Sequence, residues 1–274
     1  MAFSLALVNI GLGIAYLAIG GLVVYEMLVK SDTRGFSHFG FAFAALAFTC
    51  GPHHLAHGLH IGFAGRSPGV LDLIAVCVGL PTAAVWVFLR VESFRGGAGD
   101  RYISGTPVWL LILPTLLGVY ATALVAAMID HAGGLHNGFQ VLPNFILVGL
   151  YGSIAFFLVR TQLHNRRPLG GWSVSGLALA GIFVTCTAMH LVYAFYVLTG
   201  LYGADVHGLV SGWISVPAAA YFLWVVHALY RGSFYDWNGA PGGETDVTVP
   251  VAPLPSQSPH PLAVPAGLDG RTTG

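Results

Sequence analysis

Seven apolar stretches, near residues 4–28, 37–62, 70–92, 107–130, 139–160, 172–198 and 208–230, alternate with short polar or glycine-rich connections. Each is long enough to cross a hydrocarbon core of about 30 Å as a helix. None alternates polar and apolar residues as the strands of a membrane barrel do, so helix is the predicted spanning form. The first stretch has no basic segment before it and reads as a spanning helix, not a cleaved signal peptide. The apolar pattern stops after Trp237. Residues 238–274 hold seven of the fifteen prolines, and the region 233–274 is expected to be a disordered tail without a kinase or other output domain.

Charge orients this array. The connections after the first, third, fifth and seventh stretches carry Lys30, Arg34, Arg90, Arg95, Arg101, Arg160, Arg166, Arg167 and Arg231, whereas the opposite connections carry only Arg66. Basic residues stay on the cytoplasmic side, which predicts an outside N-terminus and a cytoplasmic C-terminus.

The pattern also repeats. Shifting residues 48–55 by 136 positions lays Thr49, Cys50, His54 and Leu55 on Thr185, Cys186, His190 and Leu191. The same shift pairs Pro81, Ala83, Ala84, Arg95 and Gly96 with Pro217, Ala219, Ala220, Arg231 and Gly232. A shift of 135 pairs Asn9 and Tyr16 with Asn144 and Tyr151. The expected fold is therefore an all-α membrane protein of seven transmembrane helices. A three-helix unit (residues 1–96) and its copy (139–232) would be joined by a fourth helix and its loop (97–138). The odd number of crossings between the copies makes the repeat parallel.

Composition sharpens this reading. The 274 residues are 55% apolar and 8% charged, against about a quarter charged in soluble domains, and the net charge is zero. No basic surface is available for nucleic acid, and the expected surroundings are a lipid bilayer, in the first instance a bacterial plasma membrane. The twelve histidines outnumber the lysines and arginines together. Three cysteines, Cys50, Cys77 and Cys186, sit within apolar runs and make no disulfide framework.

Cys50 and His54 are four residues apart, as are Cys186 and His190, so each pair shares one helical face. A thiolate and an imidazole converging on one point are metal ligands; the softness of sulfur favours Cu(I), with Zn(II) the alternative. Met189 can add a thioether. His53, His57 and His60 form a stripe with His54. With Asp72, Asp130, His131, His136, Asp205 and His207 they make an outer group that reads either as a second metal site or entry funnel, or as a polar loop surface. His38, His164, His227 and His260 read as incidental.

The segment Cys-Gly-Pro-His-His-Leu (50–55) resembles the Cys-Gly-Ala-Thr-His-Leu signature of plant and cyanobacterial ethylene receptors. The run Ile14-Ala15-Tyr16-Leu17-Ala18-Ile19, with Val24-Tyr25 and Val29-Lys30-Ser31 after it, resembles that family's first helix. The likeness covers residues 4–96 and, more faintly, 139–232. It implies a dimeric three-helix sensor in which Cys50 and His54 bind Cu(I) that captures ethylene. In the second copy Cys186 and His190 would do the same. Tyr16 and Ile19 would border the ligand pocket, and Tyr151 would do so in the second copy. Asn9 and Asn144 stand where the family has an aspartate, and Gly20 where it has a proline. The chain would then be a fused form of the family's dimer, needing no homodimer.

The expected function is that of a membrane Cu(I)-binding protein. It would sense a small soft ligand or handle copper, signalling through a separate signalling or metal-delivery protein. The alternatives are a b-type haem protein with His54 and His190 as axial ligands, a metal-dependent hydrolase with three metal ligands and an open position, and a metal transporter.

Overall fold

The computed structural model describes residues 2–64, 70–104, 138–198 and 206–232. They form six helices: α1 (Ala2–Arg34), α2 (His38–Ala64), α3 (Val70–Phe94), α4 (Gly138–Asn165), α5 (Val174–Leu198) and α6 (Val206–Tyr230). The fourth apolar stretch (107–130), Asp130, His131, His136, Asp205 and the tail lie outside the described residues.

Segments of α1, α3, α4, α5 and α6 are long and apolar enough to cross a membrane. That accounts for five of the seven expected crossings. α2 is also long, at 27 residues, but falls outside this set because its second half carries His53, His54, His57 and His60. Large apolar side chains such as Phe3, Leu28, Phe63 and Phe88 stand exposed on the outside of the helices. In water they would be a liability, and in hydrocarbon they face their own solvent.

α1 packs on α2 and α3, α4 packs on α5 and α6, α3 crosses α5, and α6 crosses α2. Exchanging α1, α2 and α3 for α4, α5 and α6 leaves this set of neighbours unchanged. The helices meet at an aromatic centre, where Phe222 lies 5.7 Å from Phe43 and 5.2 Å from Phe183. The α1–α2 seam is close because glycines line it. A Cβ on Gly13 would stand 2.8 Å from the Gly51 carbonyl, and one on Gly58 would stand 2.9 Å from the Ala6 carbonyl. Small residues at such crossings let backbones approach where lipid supplies no hydrophobic drive.

The C-terminal ends of the helices are tied by polar contacts. Glu26 of α1 meets Lys30 at 2.5 Å and Arg90 of α3 at 3.6 Å, and Arg160 of α4 donates to the Tyr230 hydroxyl of α6 at 3.2 Å. A two-residue ladder that the apolar pattern does not predict joins β1 (Tyr102–Ile103) to β2 (Trp172–Ser173), antiparallel. Beside it Asp100 accepts from the Ser173 hydroxyl (2.6 Å), the Ser175 amide (2.9 Å), the Ser175 hydroxyl (2.8 Å) and the Arg101 amide (2.8 Å). Burial pushes the Asp100 carboxyl up, but these hydrogen bonds outweigh it and hold the group below the usual carboxylate range. The Ser173 hydroxyl in turn accepts from the Gly176 amide, capping the start of α5.

A candidate thiol and imidazole site

Cys50 and His54 lie one turn apart on α2, and Cys186 and His190 lie likewise on α5. The fold brings the two pairs together. The Cys50 and Cys186 side chains line the same two cavities, and both are free thiols. Each sulfur also meets a tyrosine of the other half. The Tyr16 hydroxyl lies 3.3 Å from Cys186 Sγ, and the Tyr151 hydroxyl lies 3.3 Å from Cys50 Sγ. Both tyrosines are buried.

The imidazoles are held in matching ways. His54 Nδ1 lies 3.0 Å from Asn9 Oδ1, and His190 Nδ1 lies 2.8 Å from Asn144 Oδ1. Asn9 is itself oriented, since its Nδ2 donates to the Leu5 carbonyl at 3.0 Å. An amide oxygen only accepts, so Nδ1 of each histidine is the donor and Nε2 of the neutral ring keeps its lone pair. Tyr16 packs edge-on against His54 with centroids 5.4 Å apart, and Tyr151 lies 5.3 Å from His190.

Two small cavities touch the thiols. One, of about 30 Å³, is lined by Cys50, Cys186, His53, His54, His57, His190, Asp72 and Met189, with Tyr193, Tyr196, Ser211 and Ser215. The other, of about 20 Å³, is lined by Tyr16, Phe43, Leu46, Ala47, Tyr151, Ile182 and Phe183, with the same two cysteines. A single water fills roughly 10–15 Å³ on this scale, so each holds one or two small molecules. The thiol pair thus divides a polar chamber from an apolar one.

The polar chamber contains pairings that the sequence did not reveal. His57 Nε2 meets the buried Asp72 carboxylate at 3.1 Å, and His53 Nδ1 lies 2.8 Å from the Ser211 hydroxyl. The His53 ring lies nearly parallel to those of His57 and His190, each 6.3 Å away. Ser211 is a lone serine in an apolar run and carries no spacing signal in the sequence. Met189 lines the polar chamber. His60 is exposed and borders neither cavity, and Ile19 is fully buried in the core but also borders neither. His207 lies in the first turn of α6.

Among the described residues, no three His, Cys, Asp or Glu side chains converge as a metal-binding group. The convergence that does occur is of two thiols, flanked by two oriented imidazoles. Comparison of the chain with family models, with curated proteins and with solved structures finds no match, so the reading of its function rests on this geometry and on the residues that build it.

Proposed function

We propose that this integral membrane protein binds one Cu(I) at a site shared by Cys50 and Cys186, in a duplicated form of the sensor domain that the sequence resembles. In this reading residues 1–96 and 139–232 are parallel copies, the N-terminus is outside and the C-terminus is cytoplasmic. The observation that carries it is the placement of the two equivalent thiols on the same two cavities, each 3.3 Å from the hydroxyl of the equivalent tyrosine of the other half. Two thiolates suffice for a soft ion that accepts low coordination, and this donor set suits Cu(I) better than Zn(II), which seeks four ligands. His54 and His190 keep unprotonated Nε2 atoms at the same chamber and are the residues that would complete the coordination. Bound Cu(I) would supply a soft centre able to capture an alkene or another small soft ligand, for which the apolar chamber of about 20 Å³ offers room. A ligand taken up there would alter how the two halves pack and so reach a separate signalling or metal-delivery protein.

A haem between His54 and His190 would need a void of several hundred Å³, and the chamber between them is about 30 Å³. A hydrolase would need three protein ligands around an open position. The deciding experiment is metal analysis of the purified protein. Wild type should carry one equivalent of copper, and Cys50→Ser and Cys186→Ser should each lose all of it. Copper retained in full by both variants would refute the reading, and a Soret band would favour haem.

A further inference from the structure

The two seams that flank the thiol pair are equivalent in the repeat but differ in how they are packed. Where α3 crosses α5, glycines close the seam. A Cβ on Gly181 would stand 2.7 Å from Thr82 Cγ2, and one on Gly79 would stand 3.1 Å from Thr185 Oγ1. Ala75 and Ala188 are buried in these helices. Where α6 crosses α2, their counterparts are Ser211 and Pro52, and a groove of about 290 Å³ opens instead. Its walls include Phe48 (44% exposed), Val210 (49%) and Ile214 (55%). Exposed apolar walls on a helix of membrane-spanning character face hydrocarbon. His53 and Ser211 line both this groove and the polar chamber of the thiols, and they are hydrogen-bonded to each other at 2.8 Å.

We infer that the α2–α6 groove is a lateral portal through which small uncharged molecules dissolved in the bilayer reach the thiol pair, with the His53–Ser211 hydrogen bond as its gate. The inference deepens the reading of the thiol pair as a binding centre and rests on it. The occupant is uncharged because the walls are apolar and no aspartate, glutamate, lysine or arginine lines the groove. It is small because the chambers beyond hold one or two water-sized molecules. At the α3–α5 seam Met189 and Ala75 stand at the positions that correspond to His53 and Ser211, so that seam carries no equivalent gate.

The test uses the reduced, metal-free full chain in phosphatidylcholine vesicles, so the absence of copper binding would not disturb it. The probe is methyl methanethiosulfonate, which is uncharged. A protein sulfur attacks its sulfenyl sulfur, a mixed disulfide forms and methanesulfinate leaves. Its trimethylammonium-ethyl analogue is the charged comparison, and labelling is followed on Cys50 and Cys186 peptides by mass spectrometry. The exposed Cys77 serves as internal reference. The neutral reagent should label the thiol pair at least tenfold faster than the charged one. Ile214→Trp, which fills the groove, should slow that labelling at least tenfold while leaving Cys77 unchanged. Val210→Trp fills the same groove from another turn and should do the same. Ser211→Ala should speed labelling. Equal rates in wild type and in a folded groove-filling variant, or equal rates for the two reagents, would overturn the portal. An unchanged rate in Ser211→Ala would overturn the gate.

Discussion

Replacing Asn9 with leucine removes the acceptor that orients His54 and puts an apolar group of similar size in its place. Asn9 is fully buried and His54 is 4% exposed, so bulk water does not replace the lost partner. A buried donor left unpaired costs about 1–3 kcal/mol. The ring escapes most of that cost by moving its proton from Nδ1 to Nε2, the tautomer that no longer offers an Nε2 lone pair to the chamber. The loss then falls on copper affinity and not on folding. At about 1.4 kcal/mol per tenfold, it amounts to roughly 5- to 100-fold, the range seen when a group that orients a metal-binding histidine is removed. Asn144→Leu should do the same through His190, because the 2.8 Å contact there repeats the 3.0 Å contact at His54. Asn9→Asp keeps an acceptor at the same place and should retain wild-type affinity or improve on it. The assay is competition for Cu(I) against a chromogenic chelator, with thermal unfolding followed in parallel. Asn9→Leu and Asn144→Leu that are both folded and both bind copper within twofold of wild type would refute the reasoning.

Gly13→Leu should overpack the α1–α2 seam and lower stability by about 1–3 kcal/mol or more, since its Cβ alone would stand 2.8 Å from the Gly51 carbonyl. Gly21→Ala, where a Cβ meets nothing within 4 Å, should leave the thermal midpoint unchanged or raise it slightly. Asp100→Ala should loosen the start of α5 and cost about 1–3 kcal/mol through its unpaired donors, read as faster hydrogen exchange at the Ser173 and Ser175 amides. The native Asp100 carboxyl titrates below its ordinary range, so its contribution is complete above the unfolded-state value near 4 and is lost as the pH falls through the lower folded-state value. Wild type should therefore lose stability more steeply in acid than Asp100→Ala does, and parallel acid profiles would count against that bond network.

The apolar stretches by themselves determined the helical class, the membrane setting and the approximate limits of all six described helices, because hydrophobic length is a one-dimensional property. The repeated Cys–His spacing likewise picked out Cys50, His54, Cys186 and His190, since residues four apart share a helical face whatever surrounds them. The shift of 135 that matched Asn9 and Tyr16 to Asn144 and Tyr151 was also legible, but not what these residues touch. That each tyrosine bonds the cysteine of the other half, and that the two thiols line the same cavities, depends on how the two sets of helices dock. The same holds for Ser211 beside His53, for the Asp100 cap of α5 and for the open seam that faces the closed one. Contacts between residues 70 or more positions apart are set by close packing in three dimensions, where the glycines Gly79 and Gly181 bring α3 and α5 together, and no periodicity along the chain records that choice.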